Sequence, residues 1–129
     1  MRYLSDEDIQ LASRFLFLSM TLVVIKQDID RIQRGNFKIK ESYVELLEKM
    51  ASEAINERRQ LRKAMTAKNL QVTLLNKNDS FSSYLFLCQG REEKRNYFNP
   101  AIRKKVKAIF DELMSKSLSS DHSYAALNT

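Results

Sequence analysis

The sequence predicts a mainly α, α+β fold: a long antiparallel helical hairpin, a short β-hairpin and a C-terminal helix. Three observations carry this expectation. Apolar residues recur at helical spacing between Leu11 and Met65, the period changes to two after Asn69, and Asn99-Pro100 opens a new helical stripe. The 129 residues include only two glycines and one proline, with 43% hydrophobic residues, which favours long helices over a fold of many turns.

The first helix is expected over about residues 6–34. Ser5 can cap it, Asp6, Glu7 and Asp8 suit the positive end of its dipole, and Arg31 and Arg34 suit the other end. Leu11, Phe15, Leu18, Leu22, Ile25, Ile29 and Ile32 form a seam with steps of three and four. Leu16, Val23 and Val24 widen the apolar surface, so this helix should meet more than one neighbour. Gly35 is read as the left-handed residue that ends it.

A loop, Asn36 to Lys40, leads to a second helix over about residues 41–68, with Tyr43, Leu47, Met50, Ala54, Leu61 and Met65 near its inner face. So short a loop makes the two helices antiparallel neighbours. The hairpin follows at about residues 70–88. Leu70, Val72 and Leu74 alternate with Gln71 and Thr73, Asn76 to Ser80 supply turn chemistry, and Phe81 to Cys88 favour a strand. Two strands alone are marginal in water, so helices or a second subunit must cover them. Gln89 to Phe98 reads as a polar connection. The third helix then carries Ile102, Val106, Ile109 and Leu113 and ends near Lys116. Residues 1–116 therefore form one domain, and residues 117–129 are expected to be a flexible C-terminal tail.

The lone Cys88 suits a reducing compartment, and acids at the N-terminus stand where a secretory leader would be basic and then apolar; a cytoplasmic location is expected. The charge-free stretch Phe15 to Ile25 is shorter than the ~20 residues a bilayer span requires, so no membrane span is expected. The single histidine, His122, lies in the expected tail, and two glycines cannot make a phosphate loop. Glu41, Glu45 and Glu48 share a helical face without an accompanying histidine, and Lys49 follows Glu45 by four, the pattern of a solvated face. No catalytic, cofactor-binding or metal-ligating set is expected, and no enzymatic activity.

The net charge of +6 is regional. Residues 1–57 carry 8 Lys/Arg and 10 Asp/Glu, whereas residues 58–107 carry 13 and 3. Arg58, Arg59, Arg62 and Lys63 lie toward the end of the second helix, where the dipole favours them, yet they form like-charged pairs four apart that cost about 0.2–0.5 kcal/mol each. Something outside the helix should compensate. Arg91, Lys94 and Arg95 precede the third helix, and Arg103, Lys104, Lys105 and Lys107 crowd its N-terminal half against the dipole. With the free N–H groups at the Asn99 cap, these cations could hold an anion or a nucleic-acid backbone. Pairing with Asp6, Glu7 and Asp8, or plain solvation, is the competing account.

Phe37 to Tyr43, Gln89 to Glu93, and Asn96-Tyr97-Phe98-Asn99-Pro100 together resemble the YhjD-like small proteins of Bacillus-type bacteria, over about residues 6–116. The resemblance implies a bacterial source and this architecture rather than an activity. Two functions remain open. The first is a non-enzymatic helical interaction or structural protein, self-associating, whose partner is itself or another protein. The second is a small nucleic-acid-binding regulator using the basic region 58–107.

Overall fold

The computed structural model describes residues 3–128, with side chains described through Ser119. Its elements follow the order α1 (Asp6–Arg34), α2 (Lys40–Ala67), β1 (Leu70–Lys77), β2 (Phe81–Cys88), β3 (Arg91–Phe98) and α3 (Asn99–Asn128). The strands form one antiparallel sheet in the order β1-β2-β3.

At the start of α1 the Asp8 N–H donates to Ser5 Oγ at 3.1 Å, the expected cap. At its end Gly35 is extended, φ −80° and ψ 173°, and not left-handed. The glycine is favoured here by close approach of a side chain. The Phe37 ring folds back so closely that a Cβ on Gly35 would sit 2.6 Å from it. The left-handed positions lie elsewhere: Asn69 at φ 56° turns the chain from α2 into β1, and Gln89 and Gly90, at 51° and 81°, make the two-residue turn between β2 and β3.

That turn overturns the reading of Gln89 to Phe98 as a connection. The segment is strand β3, in unbroken register from Cys88↔Arg91 to Phe81↔Phe98. It escapes the hydrophobic pattern because it is an edge strand, and an edge next to solvent tolerates charge on both faces. Its pairing also explains why β2 reads as apolar throughout: β2 is the central strand. A bulge between Leu74 and Asn76 shifts the register of β1 against β2, and pairing resumes at Asn76↔Ser83 and Lys77↔Ser82.

Two cores share α1. One lies between the helices and includes Phe17, Leu18, Leu22, Ile25, Leu47, Met50, Ala54, Ile109 and Leu113. The other lies between α1 and the sheet and includes Ile9, Ala12, Met65, Leu70, Tyr84, Phe86 and Cys88. Ala12 and Thr21 are fully buried although neither belongs to the expected seam, because the sheet and helices cross α1 where small side chains let them approach. On α2 the inner position is Val44 rather than Tyr43, which is half exposed.

Asn99 fixes the start of α3. Its N–H donates to the Ser80 carbonyl at 2.8 Å, its Nδ2 donates to the Asn78 carbonyl at 2.8 Å, and its Oδ1 accepts from Ser82 Oγ at 2.8 Å. The side chain expected to cap a helix is therefore engaged by the β1–β2 turn. The helix itself continues past Lys116 to Asn128, and Ser117 is still buried on it. The side chains of residues 120–129, including His122, lie outside the described residues.

Phe86 is fully buried on the central strand. Replacing it with alanine should remove about 3–5 kcal/mol of stability, read from the urea midpoint at constant m-value.

Candidate functional site

The cations singled out in the sequence do not converge. Arg62 borders a cavity with Phe15, Met65 and residues 70–73 of the edge strand β1. Arg91, Lys94 and Arg95 belong to β3, the opposite edge of the sheet, and Arg103, Lys104, Lys105 and Lys107 follow on α3. The charge excess of residues 58–107 is thus spread over α2, β3 and α3.

Many of these side chains have intramolecular duties. Arg58 donates from Nε to Ser19 Oγ at 2.8 Å, and its guanidinium carbon lies 4.7 Å from the centre of the Phe15 ring; that of Arg62 lies 5.8 Å from the same ring. The ring of α1 compensates the Arg58/Arg62 pair; the Arg59/Lys63 pair has no such partner among the described residues. The helix dipole does not compensate either pair, because the last turn of α2 holds no basic residue. Arg95 donates to Glu93 at 2.6 Å, Lys107 to Asp111 at 2.6 Å, and the Lys105 ammonium stands 5.5 Å from the Phe17 ring centre. Arg59 reaches only Asn56, at 3.5 Å. Lys63, Lys94, Arg103 and Lys104 have no ion pair or hydrogen bond among the described residues.

Two ion clusters went unread in the sequence because their members are distant in the chain. Arg14 donates from Nε and a terminal nitrogen to both oxygens of Glu57, at 2.6 and 2.9 Å, and from its other terminal nitrogen to Glu112 at 3.0 Å. The bond from Arg14 holds the Glu57 carboxyl below the usual carboxylate range despite its partial burial, and the same bond raises Arg14 further above its ordinary value. The second cluster joins the ends of α1 and α2: Lys68 Nζ lies 2.9 Å from Asp8 and 3.5 Å from Glu7. Among the described residues the N-terminal acids thus meet Lys68, the residue that follows α2, and not the cations of β3 or α3. Lys68 lowers the Asp8 carboxyl. Cys88 Sγ lies 3.5 Å from the Lys68 carbonyl and 3.8 Å from Asp8, and burial together with the Asp8 charge pushes its thiol up, away from the reactive thiolate.

Three surface depressions could accept a ligand. Asp8, Lys68, Cys88, Gln89 and Arg91 line one of about 340 Å³. A second, about 540 Å³, lies between α2 and α3 and is lined by Glu45, Glu48 and Glu53 together with Lys49, Lys116 and Ser117. The face expected to be merely solvated thus borders a cavity, although no group of side chains among the described residues could hold a metal ion. The third, about 460 Å³, runs between α1 and α3. Its floor is Val24, Ile102, Val106 and Phe110, and its rim is Asp28, Arg103, Lys107 and Asp111.

By length and composition α1 could cross a bilayer, with mean hydropathy 1.6 over its most apolar window, yet 39% of that window is buried inside the fold. The widening by Val23 and Val24 leaves Val23 53% exposed.

A family model described as YhjD protein matches residues 3–118. The "Uncharacterized protein YhjD" of Bacillus subtilis (strain 168) is 28% identical over 106 residues, covering 82% of this chain and 88% of that protein. No solved structure matches the chain.

Two outcomes follow from these contacts. Phe15→Leu keeps the apolar bulk and removes the ring face; a double-mutant cycle with Arg58→Ala should return a coupling of about 0.5–1 kcal/mol in urea unfolding. Glu57, whose folded pKa is depressed, contributes stability that is complete above its unfolded value of about 4.3 and is lost as pH falls through the lower folded value. Thermal midpoints measured from pH 6 to pH 3 should therefore fall more steeply for the native chain than for Glu57→Gln.

Proposed function

The chain belongs to the YhjD family, and we propose that it works as a non-enzymatic helical interaction protein that associates with itself. One observation carries the reading: α1, already occupied by two cores, keeps further apolar surface in its middle, where Val23 is exposed and Val24 half-exposed. Apolar side chains in the centre of the most connected helix are costly to leave in water unless another surface covers them. The scaffold beneath is rigid, since Arg14 bonds both neighbouring helices. A preorganised surface of this kind loses little entropy on association.

Nucleic-acid binding receives less support. Arg58 and Arg62 are turned onto Phe15, Arg95 and Lys107 are matched by carboxylates, and Arg59, Lys63, Lys94, Arg103 and Lys104 are spread over α2, β3 and α3. A backbone-tracking site needs several free cations on one path.

Light scattering on the purified chain should show a mass that rises from one chain to two across the micromolar range. A mass of one chain at every concentration would overturn self-association. Titration with a short duplex at about 50 mM salt should show no salt-sensitive binding. Binding that falls steeply with salt and is lost on neutralising Arg58, Arg59, Arg62 and Lys63 would favour the regulator instead.

A further inference from the structure

We propose that the groove between α1 and α3 is the surface on which a second copy of this chain docks, about a two-fold axis running along the groove. The inference rests on the self-association proposed above and names its face.

The floor of the groove is apolar. Ile102, Val106 and Phe110 recur every four residues on α3, and Val24 faces them from α1. All four are half-buried, so they are neither absorbed into the core nor free of it. Stripes of this spacing on two helices accept an apolar helical surface, with i, i+4 and i+8 positions as anchors.

The rim selects the occupant. Asp28, from α1, and Arg103, from α3, line the same groove, and neither has an ion pair or hydrogen bond among the described residues. The other two rim charges, Lys107 and Asp111, already neutralise each other at 2.6 Å. A partner that brings a cation to the α1 side and an anion to the α3 side would pair both. A second copy brings both. A two-fold axis along the groove sets α1 of each copy over α3 of the other, so each Asp28 meets the partner's Arg103 and both contacts form at once. An acidic or basic foreign surface would satisfy one side and repel the other. The arrangement also gives Arg103, placed against the dipole of its own helix, an acid to face.

The test is a charge reversal and its repair, read as the dimer dissociation constant by sedimentation, with circular dichroism to confirm that each variant is folded. Asp28→Arg and Arg103→Asp each place like charges at both symmetric contacts, and each should weaken the dimer at least about tenfold. The double variant restores both pairs with their signs exchanged and should return to within about threefold of the native constant. Dimers unaffected by either single reversal would overturn the groove while leaving self-association standing. A native chain that stays monomeric would overturn both. A monomer that floats with lipid vesicles in place of dimerising would also overturn the proposal, assigning the apolar surface to a membrane.

Discussion

The Arg14 guanidinium reaches Glu57 through two of its nitrogens and Glu112 through the third, so three helices meet on one cation. Burying part of a charge carries a desolvation cost that only well-placed partners offset. Here the offset is a bidentate bond to one carboxylate and a single bond to another, which together leave the guanidinium little freedom. Either glutamate alone would fix one helix against α1. Both together fix the angle between α2 and α3, and with it the space between the helices. The start of α3 is held independently by Asn99, whose backbone and side chain bond the β1–β2 turn. The first half of α3 is thus tied at Asn99 and at Glu112, and the groove lined by Ile102, Val106 and Phe110 lies between these two contacts.

The same economy governs the basic residues. A run of cations on one helix is electrostatically costly only if it stays in the plane of that helix. Arg58 and Arg62 leave that plane by stacking on Phe15, which turns a local repulsion into an α1–α2 contact. Lys105 does likewise on Phe17. Lys68 closes the far end of the helical pair by reaching Asp8. These contacts run in opposite order along the two helical segments: Asp8 meets Lys68, Ser19 meets Arg58, and the Gln33 carbonyl accepts from Lys40. They therefore also fix the antiparallel register of α1 and α2. Much of the positive charge in the middle of the chain is thus accounted for as cohesion within the fold.

What was legible in the sequence is what local periodicity and local capping encode. The two long helices, their loop, strands β1 and β2 and the start of α3 all announce themselves through spacing, caps or turn residues within a few positions of each other. Strand β3 does not, because Arg91 to Asn96 carry no alternation of apolar and polar residues; its identity comes from the left-handed Gln89-Gly90 turn and from pairing with β2. The extent of α3 was hidden for a related reason: the small polar residues after Lys116 suggest fraying, yet the helix continues and Ser117 is buried on it. At the candidate sites, each cation was visible but its destination was not. Phe15 looked like a seam residue and serves as a platform for two arginines. Arg14, Glu57 and Glu112, separated by 43 and 98 positions from the first to each of the others, offer no sequence signal at all.

Gly35 shows how a correct residue can be assigned a wrong cause. Its presence suggested a left-handed helix end, yet its φ is ordinary, and the Phe37 ring occupies the place a side chain would take. Phe37 in turn meets Tyr43 edge to face, with ring centres 6.1 Å apart. The loop between α1 and α2 is therefore held by its own aromatic pair, outside both cores, and does not depend on the left-handed cap. A loop so braced keeps the helical pair in register at the end remote from the sheet, while Asp8 and Lys68 keep it at the end beside the sheet. With α1 tied at both ends and at Arg14, turning its apolar middle inward to hide Val23 would break these contacts. Val23 is left exposed as the consequence of a helix held by contacts on either side of it.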